Sequence, residues 1–266
     1  MTTADRDRTR PVHVARHDEG AVAPFDDTVA TEDPLEIRLG ETPLAVVMRT
    51  PGDDEDLVTG FLITEGILLA PDEIRDIERI DASRVAVHLR DGLDVDVARF
   101  QRNMFMSSSC GVCGKTSIEQ VRLFARPAAA FTIAPGILAT LTDRLRSHQP
   151  TFDTTGGLHA AGLFDSSGRL AAAREDVGRH NAVDKVIGSV ARSAWPLPEL
   201  VLVVSGRQSF EIVQKAAVAG IGGIVGVSAP SSLAVELARE IGMLLVGFSR
   251  GSRFNVYSGE ARLMRQ

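Results

Sequence analysis

Cys110 and Cys113 are the only cysteines of the 266-residue chain. They stand in the run Ser107-Ser108-Ser109-Cys110-Gly111-Val112-Cys113-Gly114-Lys115. A thiol is a nucleophile once ionised, and a nearby cation or the amides of a helix start lower its pKa. Thr116 and Glu119 have the spacing of a capping box, so a helix is expected just past the pair. Both thiols would then sit near its partly positive start, with Lys115 alongside. Two cysteines can also fill a core or supply half of a zinc site. Buried fillers rarely lie between three serines and two glycines, which favours sulfur chemistry.

Three further clusters could handle a ligand. The first is the loop Thr154-Thr155-Gly156-Gly157-Leu158-His159, which feeds a strand. The second is Arg174-Glu175-Asp176-Val177-Gly178-Arg179-His180-Asn181, followed by Asp184 and Lys185. It places acids, bases and an imidazole at a strand-to-helix junction, where backbone amides can receive an anion. A well-capped, solvated helix start would also explain part of that pattern. The third is a set of strand ends: Ser205-Gly206-Arg207, Ser228-Ala229-Pro230 and Ser249-Arg250-Gly251-Ser252-Arg253. Open α/β sheets bind ligands outside the carboxyl ends of their strands. Arg207, Arg250 and Arg253 could pair there with phosphates, although each alone could be a solvated loop arginine.

Two motifs fail. A zinc deaminase needs three histidine or cysteine ligands and a neighbouring glutamate. The proline expected before the cysteine pair is missing, and the only His-x-Glu is His17-Asp18-Glu19, in a polar N-terminal stretch. A P-loop fails because no glycine lies five residues before Gly114. Two thiolates per chain could still make a four-sulfur zinc site across a dimer, and Cys-x-x-Cys also occurs in thiol–disulfide oxidoreductases.

The elements that must hold these residues follow from periodicity. Hydrophobic residues make up 44% of the chain, enough for a substantial core, and the net charge of -6 gives no basic footprint for nucleic acid. No apolar stretch approaches the length of a membrane span, and no secretory signal is evident, so a cytoplasmic protein is expected. Residues 1–33 show no period and read as a mobile tail, with order beginning at Pro34. Leu35–Leu39 and Leu44–Met48 alternate as strands about Gly40-Glu41, and Asp53 and Asp54 can cap a helix through Leu57, Phe61 and Leu68. Pro71–Ile77 reads as a turn or short helix. Arg84–Leu89 and Leu93–Val97 read as a hairpin about Asp91-Gly92, with His88 a structural strand histidine. Pro135 starts a helix that ends near His148. Beyond Gly157, strands at Leu158–Phe164, Leu170–Arg174, Leu200–Val204, Ile224–Val227, Met243–Phe248 and Arg253–Tyr257 alternate with helices at Asn181–Arg192, Phe210–Val218 and Leu233–Ile241. That is an α/β sheet covered on both faces, preceded by a smaller α+β unit.

The runs Ser109–Gly114, Gly157-Leu158-His159-Ala160-Ala161, Glu175–Lys185, Ser205-Gly206-Arg207 and Phe254-Asn255-Val256-Tyr257 resemble the FdhD family from about Pro34 to Gly259. These are sulfur carrier proteins needed for formate dehydrogenase activity. The tail over residues 1–33 lies outside the match; the resemblance implies a small α+β domain over 34–130 and a cytidine-deaminase-like three-layer domain over 131–266, assembled as a homodimer. It further implies that a cysteine desulfurase loads Cys110 as a persulfide, with Cys113 as second thiol. The sulfur then goes to the molybdenum (or tungsten) of a bis-guanine-dinucleotide pterin cofactor destined for formate dehydrogenase. That cofactor is a client, and no protein-ligated metal is expected. By the same resemblance Phe248, Ser249, Arg250, Gly251, Ser252 and Arg253 contact the cofactor, with His159, Asp176, His180, Asn181 and Arg207 as further pocket residues. A cofactor chaperone without sulfur transfer is the competing expectation.

Overall fold

A computed structural model describes residues 8–93, 95–97 and 131–265. Cys110, Cys113 and the helix expected after them lie outside the described residues.

The larger unit is a six-stranded sheet of order β12-β11-β10-β9-β7-β8. Its strands are β7 (His159–Phe164), β8 (Leu170–Asp176), β9 (Val201–Val204), β10 (Gly223–Gly226), β11 (Leu244–Arg250) and β12 (Arg253–Ser258). β9, β10 and β11 are parallel, and the flanking strands run antiparallel to their neighbours. Central parallel strands are buried on both faces, so β9 reads as an unbroken Val-Leu-Val-Val. Its side chains divide by the two-residue pleat. Leu202 and Val204 enter a core with α4 (Arg179–Ala191), α5 (Phe210–Val218) and α6 (Ser232–Glu240). Val201 and Val203 enter a second core with α2 (Pro135–Arg146), Phe131 and Ile133. Helices on both faces make three layers, as expected.

The smaller unit is a four-stranded sheet of order β4-β3-β6-β5, in which β5 is Ile74–Asp81 and β6 is Arg84–Leu89. β3 (Asp33–Leu39) and β4 (Thr42–Arg49) form the expected hairpin. Leu35, Ile37 and Leu39 of β3 pack on Leu57, Val58, Phe61 and Leu62 of α1 (Asp54–Thr64). Every residue of α1 except Glu55 is buried, because its far side lies against α4. Such a helix joins two cores rather than covering one.

Three sequence readings are corrected. Residues 1–33 do not delay regular structure to Pro34: β1 (Thr9–Asp18) and β2 (Ala21–Ala30) form a ribbon paired along their full lengths. Its turn, Glu19-Gly20, has φ of 47° and 89°, the mirror-image geometry that suits hairpin twist. The ribbon is solvent-exposed over most of both faces, so no apolar stripe marked it. Its base is tied by an ion pair from Arg8 to Asp53 and by Thr31 N–H donating to Arg8 O at 2.9 Å.

The antiparallel partner of β6 (Arg84–Leu89) lies upstream, in β5 (Ile74–Asp81), and β6 also runs parallel to β3. Only Pro71–Glu73 is a 3-10 turn. Charged side chains guard the β5 edge and hide its alternation. Val95 and Val97 pack on the small core without forming a strand. His88 pairs across this hairpin with Glu78 at 3.1 Å, a structural role.

Asp53 does occupy the N-cap position of α1, but at φ 55° its side chain makes no cap bond and faces Arg8 instead. No helix among the described residues is long and apolar enough to cross a membrane.

Candidate functional site

The carboxyl ends of β9, β10 and β11 converge with the start of β7. Ser205 closes the end of β9: its Oγ accepts Ala160 N–H at 2.9 Å, and its own N–H donates to Ala160 O at 3.0 Å. Gly206 follows where a Cβ would stand 3.1 Å from His159 Nδ1, so the backbone runs directly beside the imidazole. Gln208 is fully buried and its Nε2 donates to Val246 O at 3.0 Å and Ser228 O at 3.3 Å, tying the ends of β10 and β11 together. Gly226 makes room for it, since a Cβ there would lie 2.0 Å from that amide nitrogen.

The stretch Phe248–Arg253 spans the end of β11, the turn Gly251-Ser252 and the start of β12, with Arg250 paired to Arg253. Phe248 is held at φ 51° and is 45% exposed, and its N–H donates to Ser228 O at 3.1 Å. Arg250, Gly251, Ser252 and Arg253 are exposed, whereas Ser249 is buried and its carbonyl accepts Thr142 Oγ1 at 3.4 Å. Beside this turn, and sharing Thr142 with it, is a cavity of about 420 Å³. Arg146, Gln149, Phe152, Gly157, His159 and Ser205 line it, with the Arg146 guanidinium 5.0 Å from the Phe152 ring centre.

The imidazoles differ in character. Burial of His159, with Arg179 and His180 close by, pushes its pKa below 6.5 against the opposing Asp176. It is therefore a neutral donor–acceptor at neutral pH. His180 Nε2 lies 3.5 Å from Ser209 Oγ and 3.8 Å from Glu211 Oε2. Burial pushes Glu211 up, yet hydrogen bonds from His180 and Ser209 hold it at about 2, so it is a carboxylate. Replacing Arg179 by Met should raise the His159 pKa toward 6.5, because a nearby cation disfavours imidazolium. Proton NMR titration of the His159 ring reads this, and an unchanged or lower value would refute the electrostatic account.

The run from Arg174 to Lys185 proves mostly internal. Arg174 Nη2 holds Asp56 of α1 at 2.7 Å. Asp176 is fully buried: its Oδ2 takes Lys185 Nζ at 2.7 Å and Thr50 N–H at 3.1 Å, and its Oδ1 takes Gly178 N–H at 2.8 Å and Asn181 Nδ2 at 3.0 Å. Asn181 Nδ2 also reaches Met48 O at 2.7 Å. Asp176 and Asn181 therefore fasten α4 to the end of β4, and neither lines the cavity. Arg179 and His180, the first residues of α4, are left around His159, with Arg207 exposed at the end of β9.

Thr142, Arg146, Gln149, Phe152 and Gln208 escaped the sequence reading. Pro150 at the first position of the short helix α3 (Pro150–Thr155) was the available signal, since proline favours that place. The Thr154–His159 stretch consequently begins with the last two residues of that helix, which Gly156 ends at φ 66°, and ends with the first residue of β7.

Among the described residues, four buried side-chain atoms lack a hydrogen-bond partner: Arg49 Nη1, Arg179 Nε, Gln208 Oε1 and Ser249 Oγ. Gln208 and Ser249 stand at the carboxyl ends of β9 and β11, and Arg179 is the first residue of α4.

The molecule is thus a three-layer α/β protein with a cavity lined by Arg146, His159 and Ser205 at the strand ends, where Arg207, Arg250 and Arg253 are exposed, and with a small α+β unit beside it. The chain belongs to the FdhD/NarQ family, whose model matches residues 30–264. It is 50% identical over 264 residues to the sulfur carrier protein FdhD of Streptomyces avermitilis, covering 94% of each chain, and equally so to that of Streptomyces coelicolor. A crystal structure of a formate dehydrogenase accessory protein from Desulfotalea psychrophila superposes with a TM-score of 0.79 at 28% identity, covering 96% of this chain and 99% of the other.

Proposed function

We propose that this protein carries sulfur for formate dehydrogenase and presents it to a metal–pterin guanine-dinucleotide client bound at the strand-end cleft. The observation that carries the client half is the exposure of Arg207, Arg250 and Arg253 after the carboxyl ends of β9 and β11, on the side of the sheet where Arg146, His159 and Ser205 line a cavity. Guanine offers both donors and acceptors, and the phosphates suit guanidinium groups. The aromatic and amide lining of the adjoining cavity, Phe152 and Gln149, suits a purine. In this reading the molybdenum or tungsten cofactor is cargo, and the three-layer domain is a cytidine-deaminase-like scaffold that serves binding.

The sulfur half rests on Cys110 and on the identity to named sulfur carriers. Its thiolate attacks the terminal sulfur of a cysteine desulfurase persulfide. A new S–S bond forms at Cys110, the desulfurase thiolate leaves, and no oxidant is consumed. Cys113 is the second thiol of the relay. A homodimer in the cytoplasm, where thiols stay reduced, completes the proposal.

Mass spectrometry after incubation with a desulfurase and cysteine should show one added sulfur on the wild type and none on Cys110→Ala. Retention of that sulfur in the variant would overturn the assignment. The competing reading is a cofactor chaperone without sulfur transfer. That reading predicts that cells carrying Cys110→Ser keep an active formate dehydrogenase, and the relay predicts that they lose it.

A further inference from the structure

Glu175 is a buried carboxylate that the proposed relay leaves without a task. It is 3% exposed and sits at the end of β8, next to Asp176. Consecutive strand residues point to opposite faces, so the two acids serve opposite sides of the sheet. Asp176 fastens α4. Glu175 reaches the other way, to α3: its Oε2 accepts Thr151 N–H at 3.0 Å and its Oε1 accepts Phe152 N–H at 2.8 Å.

Those two donors are the ones α3 cannot satisfy alone. The helix has six residues, too few to be stable in isolation. Its N-cap, Gln149, makes no side-chain cap bond, and Pro150 at the first position has no N–H. The exposed amides are therefore those of Thr151 and Phe152, and a carboxylate 23 residues downstream in sequence takes both. Charge-assisted bonds of this kind are about twice as strong as neutral ones, and the negative charge also suits the helix start. The anchored helix carries Gln149 and Phe152, and through Gly156 it launches Gly157, Leu158 and His159, all of which line the cavity. One acid thus sets one wall of the pocket without lining it.

We infer that Glu175 is a positioning residue for the client site: by accepting the Thr151 and Phe152 amides it fixes the Gln149–His159 wall against the strand ends. This rests on the cleft being the nucleotide site, so the test separates the two ideas. GDP is the probe, with affinity measured by calorimetry on the full chain, and amide hydrogen exchange is followed across Thr151, Phe152 and 156–159. Glu175→Ala should speed exchange at those amides and weaken GDP by about tenfold, the equivalent of about one net hydrogen bond to a charged group. Glu175→Gln keeps one carbonyl acceptor and should fall between it and the wild type in both readings. Val85→Ala, a buried change in the small sheet, supplies a loss of stability far from α3. It should leave GDP affinity and those amides unchanged.

Unchanged exchange at 156–159 in Glu175→Ala would overturn the inference. So would equal weakening of GDP by Val85→Ala, because the effect would then be general destabilisation. A wild type that does not bind GDP while Glu175→Ala still frees the wall would sink the client-site reading and leave the anchoring itself measured.

Discussion

Replacing Gly188 by Ala should lower stability by about 3 kcal/mol or more, although alanine is the better helix former by about 1 kcal/mol. Gly188 lies within α4, and an added Cβ would stand 1.9 Å from Asp56 O and 2.7 Å from Gly60 N of α1. Gly60 is the reciprocal contact, its Cβ position 1.8 Å from Asp184 O. The obstructing atoms are backbone on both sides, so no side chain can swing away, and the helices would have to separate. Separation would also pull on the ion pairs that cross the same seam, from Arg174 and Arg192 to Asp56. Thermal denaturation should show a midpoint lower by about 10 °C, at about 2–4 °C per kcal/mol for a domain of this size. Gly136→Ala is the matched control: it is a helical glycine with nothing within 4 Å of its Cβ position, and it should be neutral or mildly stabilising. A Gly188→Ala protein as stable as the wild type would show that α1 and α4 do not need this approach.

Glycines of this kind were invisible to periodicity, and that marks what the sequence could reveal. The strands and helices of the three-layer unit were legible because each buries a continuous or periodic apolar face, as Leu200–Val204 does. The ribbon of β1 and β2 was not, because it buries almost nothing and its pairing is set by the turn at Glu19-Gly20. Within the site, Arg207 and Arg250–Arg253 could be placed because strand ends in α/β sheets have a known use. Glu175, Asp176, Asn181 and Lys185 could not be sorted from His180 by composition, since an internal tie and a ligand contact draw on the same side chains. What separates them is burial: Asp176 and Lys185 are fully enclosed, whereas His180 keeps about a quarter of its side chain in solvent. Gln149 and Phe152 line the cavity from a six-residue helix, too short to announce itself, whose first amides Glu175 accepts.

Lys215→Met should cost about 3–5 kcal/mol, the usual result of stripping one partner from buried charges. Lys215 Nζ on α5 contacts Asp184 Oδ2 of α4 at 2.9 Å, Glu65 Oε1 just past α1 at 2.7 Å and Thr64 Oγ1 at 3.0 Å, so one ammonium serves three helices. Burial pushes the Asp184 carboxyl up, and Lys215 pulls it back down. Burial alone would lower Lys215, but Asp184 and Glu65 hold it above its ordinary value. Methionine fills a similar volume without charge, so the loss isolates electrostatics from packing. The double variant Lys215→Met/Asp184→Leu removes the stranded acid as well, and should recover most of the loss in urea denaturation. A single variant costing under about 1 kcal/mol would refute the network's role, against the larger penalty expected for an unpaired buried charge. The pH dependence has a definite sign. An acid whose folded pKa is raised binds a proton in the native state that the unfolded chain has released, so stability falls as pH rises through that interval. Without Lys215 the native pKa of Asp184 moves further up. The deficit of Lys215→Met should therefore shrink as pH is lowered from neutral toward the carboxylate range, whereas the Gly188→Ala deficit, which is mainly steric, should change less over the same interval.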